Sequence, residues 1–134
     1  MSGKCLVVYY SKTGNTKKVA EEVAAKMGAD LCGVNEQGVA SVDPSSYGMV
    51  LVGTPVNGFN ASLPIQGYLK ANGTKLPGSV AFFATYGLYA GSTFKTMEKL
   101  SGKKPLTTTT IKGPDVPKGK YGEKVDAFVA ALKK

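Results

Sequence analysis

The chain is 134 residues long and 43% hydrophobic, which fits one globular domain and excludes a disordered or collagen-like chain. Its 17 basic residues are all lysine and outnumber nine acidic residues, giving a net charge of +8. The lack of histidine excludes a Ser-His or Cys-His catalytic pair, and no apolar run approaches the ~18 residues of a membrane helix. We therefore expect a single cytoplasmic domain over residues 1–134, without membrane association.

Apolar runs alternate with segments of helical periodicity from one end of the chain to the other. Five strands are predicted from buried apolar runs at residues 5–10, 30–34, 49–53, 79–85 and 106–111. Four helices are predicted at residues 16–27, from Pro64 to Asn72, from Ser92 to Leu100 and from Tyr121 to Leu132, and a fifth, short helix is left open within residues 36–48. Residues 36–48 and 54–63 show neither pattern and are predicted as loops. This alternation predicts an α/β domain with a parallel sheet and helices on both faces.

Ligands of an open parallel sheet bind beyond the carboxyl ends of the strands. The most informative loop there is Ser-Lys-Thr-Gly-Asn-Thr at residues 11–16, which joins a strand to the start of a helix. Unpaired N–H groups and the positive end of the helix dipole favour an anion at such a position. Ser11, Thr13 and Thr16 add hydroxyl donors, and Gly14 lets the backbone approach closely. The loop predicts a phosphate site, with an ordinary hydroxyl-rich helix cap as the alternative.

Several other phosphate-binding and metal-binding patterns are absent. The chain contains neither G-x-x-x-x-G-K-[ST] nor G-x-G-x-x-G, which argues against nucleoside triphosphate and dinucleotide loops. Without arginine it has no phosphatase loop of cysteine, five residues and arginine. Cys5 and Cys32 lie inside apolar segments, so we expect two buried free thiols and no metal site.

Three segments of the chain resemble the flavodoxin family. Residues 7–16 (VVYYSKTGNT), with Ala20 and Val23, closely resemble the flavodoxin signature for the phosphate of flavin mononucleotide (FMN). Residues 47–55 (YGMVLVGTP) look like the third strand and second flavin loop of the family, and residues 82–91 like its fourth strand and third loop. The resemblance implies a flavodoxin-like doubly wound, five-stranded parallel sheet of order 2-1-3-4-5 in a three-layer sandwich, similar to the short-chain type.

The resemblance also implies FMN as the cofactor and assigns its contacts. The phosphate would be held by Ser11, Lys12, Thr13, Gly14, Asn15 and Thr16. The flavin ring would be flanked by Thr54, Pro55, Val56, Asn57, Gly58 and Phe59, and by Thr85, Tyr86, Gly87, Tyr89, Ala90 and Gly91. We expect Phe59 on one face of the ring and Tyr86 or Tyr89 on the other, unless these aromatics make hydrophobic contacts elsewhere. Gly58 matches the family glycine whose peptide flips toward flavin N5, and a plain Asn57-Gly58 turn is the alternative.

The basic charge departs from the family, whose members are typically acidic. No aspartate or glutamate occurs from Pro44 to Met97, the stretch with both ring-flanking loops. We therefore expect a flavin that is less strongly reducing than in acidic flavodoxins. We also expect redox partner proteins with acidic docking surfaces, unless the lysines only solubilise the surface. No nucleic-acid motif is present, and Lys12 either pairs with the phosphate or points to solvent.

Two functions remain open from the sequence. The first is an electron carrier that exchanges electrons with partner proteins through an exposed flavin edge. The second is a small FMN-dependent NAD(P)H or quinone oxidoreductase. The short loops favour the carrier because they leave little room for a second molecule, whereas the loss of acidity near the flavin suits two-electron chemistry.

Overall fold

The structure is a computed structural model and describes residues 4–133 of the chain. The six strands are β1 (Cys5–Tyr9), β2 (Asp30–Gly33), β3 (Met49–Asn57), β4 (Asn60–Ala61), β5 (Ser79–Tyr86) and β6 (Thr108–Lys112). The four helices are α1 (Asn15–Met27), α2 (Leu63–Asn72), α3 (Thr93–Ser101) and α4 (Gly122–Leu132). Every predicted helix and strand is therefore present, with boundaries that shift by one or two residues except at the end of β3, which runs four residues further than predicted.

Five strands form a parallel sheet in the order β2-β1-β3-β5-β6. Since β5 and β6 are the fourth and fifth long strands in the chain, this is the order 2-1-3-4-5 that the flavodoxin resemblance implied. The middle of the sheet is fully buried because β1, β3 and β5 carry continuous apolar runs, as parallel strands covered on both faces require.

The predicted loop over residues 54–63 is wrong in part. Strand β3 continues to Asn57, because Thr54 and Pro55 keep the parallel register with β5. The chain then turns back through Gly58 and Phe59 into β4, which pairs antiparallel with the end of β3. Both turn residues have positive φ, +58° and +62°, as in the type I′ turns that join two-residue hairpins. We call residues 57–60 the tip hairpin.

The core lies in two layers, one on each face of the sheet. Helices α1 and α4 cover one face, where Phe83 meets Phe128 edge to face with ring centroids 5.9 Å apart. Helices α2 and α3 cover the other face, where Tyr68 and Met97 are buried. Within residues 4–133, no helix has the length and apolar character needed to cross a membrane.

The two cysteines occupy opposite layers of this core. Cys5 and Cys32 are both buried and free, as the sequence predicts. Burial raises the pKa of the Cys5 thiol to about 11, because a thiolate is poorly solvated there. The described residues contain no cluster of three or more His, Cys, Asp or Glu side chains that could hold a metal ion.

Candidate functional site

A cavity of about 460 Å³ opens at the carboxyl ends of the parallel strands. Four chain segments line it, with the residues Lys12, Thr13, Asn15, Pro55, Val56, Asn57, Thr85, Tyr86, Gly87, Gly113, Pro114 and Pro117. The first nine are residues that the sequence predicts for the site, so the structure brings the three predicted loops together around one space. We call this space the main cavity.

The last three lining residues belong to a fourth loop, after β6, which the sequence analysis missed. A Cβ atom on Gly113 would lie 3.3 Å from Asn15 Nδ2 and 3.4 Å from the Tyr86 carbonyl oxygen. The fourth loop therefore packs closely against the first and third predicted loops. The Gly113-Pro114 dipeptide directly after a strand was an available signal, because every loop that follows a parallel strand lies at this edge.

The first predicted loop leads into α1 through a glycine whose backbone conformation other residues rarely adopt. Gly14 has a φ of +96°, and its N–H donates to Ser11 Oγ at 3.0 Å. Lys18 N–H donates to the Gly14 carbonyl at 3.1 Å and begins the helical pattern, so the amides of residues 15–17 precede it. The first turn of α1 contains no acidic residue, and no side chain caps it. The helix start therefore offers an uncompensated positive end to an anion.

Thr16, one of the predicted phosphate donors, lies beneath this loop. Its side chain is buried, and its hydroxyl is 2.8 Å from the Thr85 hydroxyl, which ties α1 to β5. One of the two hydroxyls donates and the other accepts, so the accepting hydroxyl keeps its own proton for a further acceptor. Ser11 is similar, since its oxygen accepts from Gly14 and its proton stays available.

Thr54 makes its contacts inside the protein and does not line the main cavity. Its hydroxyl donates to the Pro55 carbonyl at 2.8 Å and accepts from the Ser62 N–H at 3.0 Å. The side chain is fully buried. Thr54 therefore connects β3 to the start of α2, and the structure does not place it among the residues around the main cavity.

The two aromatic residues predicted for opposite faces of a flavin lie on each other. The rings of Phe59 and Tyr89 are stacked, with centroids 4.4 Å apart and planes 7° apart. A third ring between them would need a spacing of about 7 Å, twice the usual carbon contact distance. The structure therefore differs from the arrangement with Phe59 and Tyr89 on opposite faces. Tyr86 lines the main cavity, and its pairing with Phe59 stays a prediction.

The tip hairpin is fastened to the third loop by backbone contacts as well. Ser92 N–H donates to the Phe59 carbonyl at 2.9 Å. Gly91 has a φ of +60°, and a Cβ there would lie 2.3 Å from the Phe59 carbonyl oxygen. Together with Gly58, Tyr89 and Ala90, these residues form a second group beside the main cavity. Gly58 has open space around it, and its predicted peptide flip stays a prediction.

Solved structures that share this fold include three flavoproteins. A flavoprotein in complex with FMN from Lactobacillus acidophilus NCFM is 20% identical, with a TM-score of 0.70 over 87% of this chain and 98% of that chain. The two-electron reduced flavodoxin of Megasphaera elsdenii is 26% identical, with a TM-score of 0.70 over 97% of this chain and 99% of that chain. The flavodoxin, WrbA-like protein of Agrobacterium tumefaciens is 23% identical, with a TM-score of 0.66 over 75% and 73% of the two chains.

One family model matches most of the sequence, whereas a search of curated proteins found no match. The family model described as a flavodoxin domain matches residues 6–124, which include all four loops around the main cavity. The chain therefore belongs to the flavodoxin family.

Proposed function

We propose that this protein binds FMN in the main cavity and carries electrons between redox partner proteins. The observation that carries the proposal is the start of α1, where Gly14 and three amides free of helical bonds face the loop that matches the FMN-phosphate signature. Bound FMN would supply reversible transfer of one or two electrons, chemistry that no side chain of this protein supplies.

The residues around the helix start fit a phosphate dianion. Its oxygens would accept from the amides of residues 15–17 and from the exposed hydroxyl of Thr13. Lys12 lines the cavity, and Lys17 and Lys18 stand on the first turn of α1, so positive charge surrounds the position. Charge-assisted hydrogen bonds of this kind are stronger than neutral ones. We call residues 11–18 the phosphate side.

The rest of the cavity fits an apolar ring system. Its volume of about 460 Å³ is in the range of about 300–1,000 Å³ that is usual for cofactor sites. Pro55, Val56 and Tyr86 supply apolar walls, and Pro114 and Pro117 of the fourth loop add a further wall. The tip hairpin and residues 86–92 lie beside this part, and we call them the ring side.

Exposed side chains on the ring side support the carrier function, because electrons can pass between proteins only over short distances. The residues on the ring side include Phe59, Leu88 and Tyr89, which are 42%, 78% and 60% exposed. A partner can therefore approach the ring side without any movement of the core. In this account the chain's own residues hold, orient and partly shield the cofactor.

A second cavity gives specific support to the alternative of an FMN-dependent NAD(P)H or quinone oxidoreductase. It has a volume of about 550 Å³ and shares Tyr86 with the main cavity. Ile111 and Tyr121 give it apolar walls. Its charged lining consists of Lys112, Lys120, Lys124, Asp115 and Glu123. A small aromatic molecule such as a quinone would fit there, and a flavodoxin, WrbA-like protein is among the structures that share this fold.

Two measurements on the purified protein test the proposal. Titration of the apoprotein with FMN should quench flavin fluorescence with saturation at micromolar concentration or below. Steady-state oxidation of NADH or NADPH should then be slow alone and fast once a flavoprotein reductase is added. Rapid turnover with a quinone and no reductase would favour the oxidoreductase instead, and failure to bind FMN would contradict both functions.

A further inference from the structure

Lysines are concentrated at the end of the sheet that holds the main cavity. Eight exposed lysines lie there, at the end of a strand, in loops after strands or in first turns of helices: Lys12, Lys17, Lys18, Lys95, Lys112, Lys118, Lys120 and Lys124. Three carboxylates share this end: Glu36, Asp115 and Glu123. Elsewhere in residues 4–133, eight lysines stand with six carboxylates. The formal excess is therefore five positive charges at the cavity end and two over the remainder.

The charge at the cavity end is not neutralised within the described part of the chain. The ion pairs of that part join Lys26 to Glu22 and to Asp126, and none involves the eight lysines. Lys124 alone among the eight has a recorded hydrogen bond, from its ammonium group to the Thr110 carbonyl at 2.9 Å. The cavity end therefore presents free, exposed ammonium groups to an approaching partner.

Exposed apolar side chains lie at the same end of the sheet, on the ring side and at the start of α2. Four of the seven large exposed apolar side chains among residues 4–133 are found here, and we call them the apolar patch: Phe59, Leu63, Leu88 and Tyr89. Leu63 and Leu88 are each 78% exposed. The stretch from Pro44 to Met97, which carries the whole patch, contains no acidic residue. Exposed apolar side chains clustered in this way mark an interaction site.

We propose that the cavity end docks an acidic redox protein, one whose own redox centre lies in an apolar surface surrounded by carboxylates. The inference rests on the proposed electron-carrier function and specifies its partner. Carboxylates match the free lysines, and an apolar centre covers Leu63 and Leu88. A nucleic acid fits less well, because it offers no aliphatic surface and the chain has no arginine for bidentate contacts.

The test uses the FMN-loaded protein and a reduced, acidic plant-type [2Fe–2S] ferredoxin as the probe. Each ferredoxin gives one electron, so two reduce one FMN, and solvent supplies the protons. The double variant K95E/K118E reverses two charges at the cavity end, and K75E/K104E reverses two exposed charges elsewhere as a matched control. Both double variants lower the net charge by four, and none of the four lysines lines the main cavity.

Stopped-flow mixing at low ionic strength should give a rate constant roughly tenfold lower for K95E/K118E and at most about twofold lower for the control. The rate of the unmodified protein should fall as salt is added. In the apolar patch, Leu88→Ser should raise the ferredoxin concentration for half-maximal rate about threefold. Leu106→Ser should leave it unchanged, since Leu106 is 57% exposed but lies before β6, at the opposite end.

Three results would overturn the docking proposal. One is equal slowing by both double variants, which would show an effect of net charge alone. Another is a rate that rises with salt. The third is tight binding of a labelled oligothymidylate at physiological salt that K95E/K118E abolishes, which would assign the cavity end to nucleic acid. Flavin absorbance and reduction by dithionite are recorded first, so a failure of FMN binding is seen separately from a failure of docking.

Discussion

The phosphate side and the ring side of the main cavity are built in different ways. On the phosphate side the backbone supplies the contacts, through Gly14 and the first amides of α1, and the Thr16–Thr85 hydroxyl pair ties this segment to β5. On the ring side, Phe59 meets Tyr89 and Ser92 across two loops that are distant in sequence. Local sequence therefore supplies the donors of the anion site, whereas tertiary contacts fix the position of the aromatic residues. Substitutions should affect FMN affinity on the first side and loop position on the second.

The largest effect is expected at Gly91 on the ring side. Gly91→Ala would place a Cβ 2.3 Å from the Phe59 carbonyl oxygen at a φ of +60°, so the two loops must separate. We expect the free energy of unfolding to fall by about 3 kcal/mol in urea denaturation. Gly87→Ala is the control, because nothing lies within 4 Å of its added Cβ, and it should change stability by less than about 0.5 kcal/mol. Equal effects would show that the loops are not fastened at Gly91.

The hydroxyl pair beneath the phosphate side should give the next largest effect. Thr16→Val leaves the buried Thr85 hydroxyl without its partner, which costs about 2 kcal/mol of stability. The double variant T16V/T85V removes both hydroxyls and should be more stable than T16V alone. Denaturation of the three proteins, with the unmodified chain as reference, completes the cycle. Simple additivity would mean that the two hydroxyls do not interact.

Substitution of one serine on each side compares the two sides directly, in stability and in FMN affinity. Ser11→Ala removes the acceptor for the Gly14 N–H, so we expect a loss of about 1 kcal/mol in stability and about fivefold weaker FMN binding. Ser92→Ala should change neither quantity much, because the Ser92 side chain makes no capping bond although it precedes α3. Calorimetric titration with FMN measures the affinity, and urea denaturation measures the stability. A stronger effect at Ser92 would reverse the comparison.

The smallest change in stability is expected at Phe59, where the loss of a ring contact and the relief of backbone strain oppose each other. Phe59→Asn loses the stack on Tyr89, worth about 1 kcal/mol, but places a residue that tolerates positive φ at +62°, worth a similar amount. The net change in stability should stay within about 0.5 kcal/mol. Tyr89→Ser removes the same ring stack without relieving any backbone strain, so the free energy of unfolding should fall by about 1 kcal/mol. Equal losses in the two variants would show that Phe59 is not strained.

The same contrast explains what could be predicted from the sequence. The strands follow from apolar runs, and the anion site follows from six consecutive residues, because both depend on local chemistry. The turn at Asn57-Gly58 was only an alternative in the sequence, and Phe59 was not predicted as its second residue, since Phe disfavours positive φ. The pairing of β3 with β4 and a hydrogen bond from Ser92 hold Phe59 in the turn. The Thr16–Thr85 pair also escaped prediction, because it joins α1 to a strand that is far away in the sequence.

FMN binding by this protein depends most on the start of α1, which we propose holds the FMN phosphate. Calorimetric titration of the apoprotein with FMN and, separately, with riboflavin, which lacks the phosphate, tests this claim. Two charge-assisted hydrogen bonds are worth about 3 kcal/mol or more, so FMN should bind roughly 100-fold more tightly than riboflavin. The difference should shrink as salt is added. Equal affinities for the two flavins, or no binding of FMN, would contradict the account.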